Sequence, residues 1–131
     1  MSQSASQASI FYRDVESSNR LWTIKDSGGF PAPKNSSGKR VMPVWSSKSR
    51  VEKIIKNVPA YKGFEPFEID LFKFFKDWLK GLKNNGFLVG INWSGKHVTG
   101  YDVSPENLIK WINHIRPSWE DEKQKPVTTK K

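Results

Sequence analysis

The chain has no cysteine among its 131 residues, which excludes disulfides, thiolate metal ligands and cysteine nucleophiles. Histidine is nearly as scarce. His97 and His114 are the only two, and neither has a second histidine at i+4 or a nearby acidic ligand pair, so both read as ordinary polar positions and no metal or cofactor is expected. Long hydrophobic runs are also missing. The densest apolar stretch, Leu71–Leu82, is interrupted by Lys73, Lys76, Asp77, Lys80 and Gly81, far short of the roughly 20 apolar residues a membrane span needs. Residues 1–9 carry neither the basic nor the apolar segment of a secretory signal, so the expected location is the cytoplasm.

Acidic residues are outnumbered: 13 Asp and Glu face 22 Lys and Arg, for a net charge of +9. That imbalance favours anionic partners and says nothing about fold. The excess is concentrated. Between positions 34 and 62, Lys34, Lys39, Arg40, Lys48, Arg50, Lys53, Lys56 and Lys62 face Glu52 alone, which places +7 of the +9 in this window. Hydrophobic residues make up 36%, with six Trp and eight Phe, enough apolar surface for one core. The reading is a single α/β domain over residues 8–116, with a disordered start at 1–7 and a flexible charged tail at 117–131, both poor in apolar residues.

Local patterns fill in this domain. Ala8–Asn19 reads as a first helix with Ile10, Phe11 and Val15 inward, and Leu21–Ile24 as a strand ending at the turn Asp26-Ser27-Gly28-Gly29. Val41–Trp45 reads as a second strand whose Pro43 argues for a sheet edge or bulge. Ser46 or Ser47 can cap a helix that turns Val51, Ile54 and Ile55 to one side. Asp70 can cap a strongly amphipathic helix through Leu82, closed by Asn85-Gly86. Phe87–Trp93 is almost wholly apolar, as a central strand covered on both faces would be. His97–Tyr101 reads as a short returning strand, and Ser104-Pro105 opens a last helix. Together these predict one mixed sheet of four to five strands with three to four helices packed on it.

Candidate chemistry is thin. Gly90–Lys96 has the spacing of a phosphate-binding loop up to its lysine, but His97 follows where magnesium chemistry needs Ser or Thr. Glu65, Glu68 and Asp70 hold an acid–base pair on paper, yet their place at a helix entrance makes Asp70 a cap and Glu68 a partner of the helix dipole. Ser46 and Ser47 lack a nucleophile elbow and read as caps. No complete catalytic set is present, so the protein is not expected to be an enzyme.

Several segments carry a family resemblance. Trp22-Thr23-Ile24, Gly28-Gly29-Phe30-Pro31-Ala32-Pro33, Gly38–Ser47, Arg50–Ile55, Trp78-Leu79 and Val89–Gly95 closely resemble the small bacterial family termed domain of unknown function 2750, over about Ala8 to Ile115. The resemblance implies a standalone bacterial cytoplasmic protein and brings no activity or catalytic residue with it. More loosely, the element order resembles the N-terminal domain of SseB-like proteins, where a Pro-Val-aromatic strand precedes a Ser- or Thr-capped helix. That likeness implies a role in protein contacts, of adaptor or immunity type.

The function expected from these observations is non-catalytic binding of an acidic protein through a basic face. Lys34, Lys39, Arg40, Lys48, Arg50 and Lys53 would steer the partner, and exposed parts of Trp45 and Tyr61 would anchor it. The alternative is nucleic-acid binding by the same surface, because Phe30, Trp45, Tyr61 and Phe64 interleave with the cations as stacking platforms do. An enzyme acting on an anionic small molecule is the third reading.

Overall fold

The computed structural model describes residues 3–95 and 99–119. In chain order these form α1 (Gln3–Ser18), β1 (Arg20–Lys25), β2 (Val41–Val44), α2 (Lys48–Asn57), a 3-10 turn (Pro59–Tyr61) and β3 (Glu65–Asp70). There follow α3 (Leu71–Lys73), a π-helical turn (Phe74–Trp78), α4 (Leu79–Asn84), β4 (Leu88–Ser94), β5 (Thr99–Val103) and α5 (Pro105–Ile115). The architecture is mixed α/β, with five strands and four helical runs among the described residues.

The strands form two hydrogen-bonded ladders. β1 pairs antiparallel with β3, while β2 runs parallel to β4 and β4 antiparallel to β5. The ladders meet where Trp22 and Trp45 exchange both backbone hydrogen bonds, at 2.8 and 2.7 Å. Pro43 explains why the pairing goes no further. Backbone groups alternate sides along a strand, so Pro43 faces β1 as Trp45 does, and it has no N–H to give. Its carbonyl is taken instead by the Thr23 hydroxyl at 2.8 Å. The proline therefore does mark an edge, that of the three-stranded ladder.

Strand alternation divides the interior. Met42 and Val44 of β2 join Val89 and Ile91 of β4 in a large apolar cluster with Phe11 and Val15 of α1, Leu79 of α4, and Leu108 and Ile112 of α5. On the opposite face Val41 and Trp45 pack with Val51 and Ile54 of α2, Ile24, Val58, Tyr61 and Trp93. Helix entrances follow the capping residues: Ser47 Oγ, Asp70 Oδ2 and Ser104 Oγ accept from the N–H groups of Arg50, Lys73 and Asn107 at 3.3, 3.2 and 3.1 Å. Each satisfies a donor that the helix itself leaves unpaired.

Four expectations are corrected. α1 starts at Gln3, so residues 3–7 belong to the folded body; Gln7 and Ala8 are buried and hold the first turns down. At the other end Trp119 stacks edge-on against Phe72 at 5.0 Å, so the body reaches past residue 116. The helix over 71–84 contains a π-helical turn instead of running uniformly. Glu68 is not a helix-dipole partner but a cross-strand partner of Arg20 at 3.0 Å. The returning strand starts at Thr99; Lys96, His97 and Val98 lie outside the described residues, as does the tail from 120 onward.

Candidate functional site

The basic window is continuous in sequence but divided in space. Lys34, Lys39 and Arg40 stand exposed on the loop before β2. There Asn35 Oδ1 accepts from the N–H groups of Ser37 and Lys39, at 2.9 and 3.0 Å, and Arg40 donates to the Ala32 carbonyl at 3.0 Å. Lys48, Arg50 and Lys53 follow on α2, beyond the other end of the strand. The four buried residues of β2 separate the sets by roughly 13 Å of extended backbone. The two sets therefore start from opposite ends of a buried strand.

The aromatic anchors are not available. Trp45 is 0% exposed, with its indole N–H donating to the Trp93 carbonyl at 2.8 Å, and Tyr61 is 8% exposed. Both belong to the core beneath α2, because their strand and turn positions face inward. Phe64 is half-buried edge-on to Tyr61. Phe30 is exposed; its ring packs edge-on against Phe67 and Trp78, with the Lys25 ammonium 5.9 Å from its centre. Of the four rings Phe30 alone is exposed, which does not make the row of stacking platforms that the nucleic-acid reading needs. Burial also raises the Tyr61 phenol above its ordinary value, and burial followed by nearby Tyr101 does the same for Tyr12.

A cleft of about 910 Å³ opens between α1, α2 and the end of β4. Ile54, Val58 and Trp93 form its apolar base, and Ile10 of α1 faces it from the opposite wall. Arg50 and Lys53 border it from α2, with Ser49, Ser94 and Gln7 as neutral polar groups. Among the described residues neither Arg50 nor Lys53 has a carboxylate within ion-pair distance, whereas Lys48 lies 4.0 Å from Glu52. A second groove of about 310 Å³ is lined by Phe30, Met42, Trp78, Leu82 and Phe87, with Asp77 as its charged residue.

One asparagine holds the three walls of the larger cleft in register. Asn92 is 0% exposed and has φ of 51°, a left-handed conformation that few non-glycine residues adopt inside a strand. Its Oδ1 accepts from the Ser46 N–H at 2.8 Å, and its Nδ2 donates to the Gln7 carbonyl at 3.3 Å and to Ser46 Oγ at 3.0 Å. β4, α1 and the entrance to α2 are thereby tied to a single side chain. Ser46 is not the cap; it is buried and its hydroxyl donates to Asp14 Oδ2 at 2.9 Å. Gln7 also donates to the Ser94 hydroxyl.

The same kink aims Trp93. Without it Trp93 would follow Val89 and Ile91 to the large cluster, but the register shift between Ile91 and Ser94 turns it to the α2 side. There its ring lies over Gly90 and Gly100, and its N–H donates to Asp102 at 3.0 Å. A Cβ on Gly90 would stand 2.3 Å from that ring, so the glycine is required for this approach. Sequence reasoning missed Gln7, Ser46 and Asn92 as a unit. The available sign was the amide of Asn92 in an otherwise apolar strand, since a buried amide must find partners.

A family model described as "Protein of unknown function (DUF2750)" matches residues 8–112. No curated protein matches the chain. Among solved structures, Anabaena Tic22 (protein transport) is similar with a TM-score of 0.38 and 12% identity, over 61% of this chain and 45% of that one. This chain thus spans less than half the length of that structure. None of the helices among the described residues is long and apolar enough to cross a membrane.

Proposed function

Because this chain belongs to the DUF2750 family, whose description names no activity, its role has to be read from its surfaces, and we propose that it is a non-catalytic module that binds an acidic protein partner. The supporting observation is that Arg50 and Lys53, both without a carboxylate partner among the described residues, border the 910 Å³ cleft beside α2. Lys48 extends the same charged surface, and the loop cations Lys34, Lys39 and Arg40 serve at most as long-range steering charges. The lack of cysteine suits a reducing cytoplasm, where the partner would be met.

Two triple variants test this reading by capture from a bacterial lysate at low and high salt. K48E/R50E/K53E removes the α2 charges, and K34E/K39E/R40E removes those of the loop. Salt-sensitive, nuclease-resistant capture should be lost with the first and largely retained with the second. Equal losses in both, or a complex destroyed by nuclease, would overturn the proposal; the latter result would favour the nucleic-acid alternative.

A further inference from the structure

We infer that the cleft recognises a short linear segment of the partner in which a large apolar residue lies next to a carboxylate, an inference that rests on the acidic-partner reading above. The arrangement of polar and apolar groups leads to this class of ligand. The base of the cleft, Ile54, Val58 and Trp93, is apolar, while Arg50 and Lys53 come from one side at the helix surface. Positions three apart on a helix are neighbours with Cβ atoms about 5–6 Å apart, so the two cations make one short positive edge. Lys53 is exposed and Arg50 only half-buried. An anion held by them remains at the surface, and the part of the ligand that enters must be apolar.

Length supports a chain segment as the occupant. The lining positions of α2 run from Ser49 to Asn57, which at 1.5 Å per residue is roughly 12 Å, the reach of about four extended residues. The slot is held in advance, because Asn92 already ties α1 and the segment entering α2 to β4. A preorganised, one-sided apolar slot with a cationic rim fits an anchor residue with an acidic flank better than a uniformly acidic stretch, which would leave the base unfilled.

Selection from a randomised heptapeptide display library on the full chain tests this, with counter-selection on R50E/K53E. Enriched peptides should carry Phe, Trp, Leu or Ile beside Asp or Glu. In fluorescence anisotropy the apolar residue changed to alanine should weaken binding about tenfold, and S49W, which fills the cleft from an exposed helix position, should weaken it at least as much. Circular dichroism melts of both variants establish that they fold. Enrichment of acidic peptides that bind equally well without the apolar residue would overturn the cleft inference and leave the acidic-partner reading standing. Binding unaffected by R50E/K53E, or no enrichment, would overturn the inference, and loss of lysate capture is what separately decides the broader reading.

Discussion

The two faces of the sheet are packed on different principles. The large cluster, formed by α1, α4 and α5 against β2 and β4, has a buried centre of aliphatic, phenyl and thioether side chains whose requirement is to be apolar and of suitable volume, with Tyr12, Trp78, Trp111 and Trp119 packed at its margin. The cluster beneath α2 contains Trp45 and Trp93, each with its indole N–H satisfied, and adjoins the Asn92 network. The first tolerates substitution that conserves volume. The second depends on direction, because buried polar groups lose much more when a partner is removed than they gain when it is present. Specific geometry is therefore concentrated beside the cleft.

The contrast can be broken most forcefully at Asn92. Asn92→Ala leaves the Ser46 N–H and Gln7 carbonyl without their amide partner and keeps the left-handed backbone, so it should cost roughly 3–5 kcal/mol in urea unfolding. Asn92→Gly, which relieves the backbone but not the lost amide, should cost about 1 kcal/mol less. Equal costs would place the effect wholly in hydrogen bonding. Gly90→Ala should cost about 1–3 kcal/mol by displacing the Trp93 ring, with a change in near-ultraviolet circular dichroism. On the other face, Leu79→Met should cost less than about 1.5 kcal/mol although Leu79 is fully buried; a loss matching that of Gly90→Ala would erase the distinction.

The smallest effect expected is alkaline. Burial raises the Tyr61 phenol above its ordinary value of 10.0, so the folded state holds this proton more tightly than the unfolded chain. The associated stability is intact below that value and is lost as pH rises through the raised pKa. Tyr61→Phe should therefore flatten the fall in urea midpoint above about pH 10 without steepening it at neutral pH. Tyr12→Phe tests the equivalent contribution on the opposite cluster.

How much of this was visible beforehand depends on the range of the interactions. Caps at Ser47, Asp70 and Ser104, the amphipathic stripes of α2 and α5, and the apolar β4 are local patterns, and they were legible. The helical start at Gln3 was hidden because a Ser, Gln and Ala stretch has no apolar stripe of its own and is held by burial of Gln7 and Ala8. The cleft was the least legible part. Its organising bonds join Asn92 to Ser46 and to Gln7, 46 and 85 positions away, and no periodicity encodes such pairs. The basic window misled for the complementary reason: adjacency along the chain conceals a buried strand between Arg40 and Lys48.

Trp22 and Trp45 bridge the two ladders, and with proline facing β1 two residues earlier the further ties between them are made by side chains: Thr23 on the Pro43 carbonyl, and Leu21, Ile24 and Ile69 in the two clusters. Deuterium exchange reads whether backbone or side chains set the cooperativity. Amides of β1 and β3 that exchange while β2, β4 and β5 stay protected would mark a seam at the proline, and uniform protection would mean that the shared core makes the two ladders one unit.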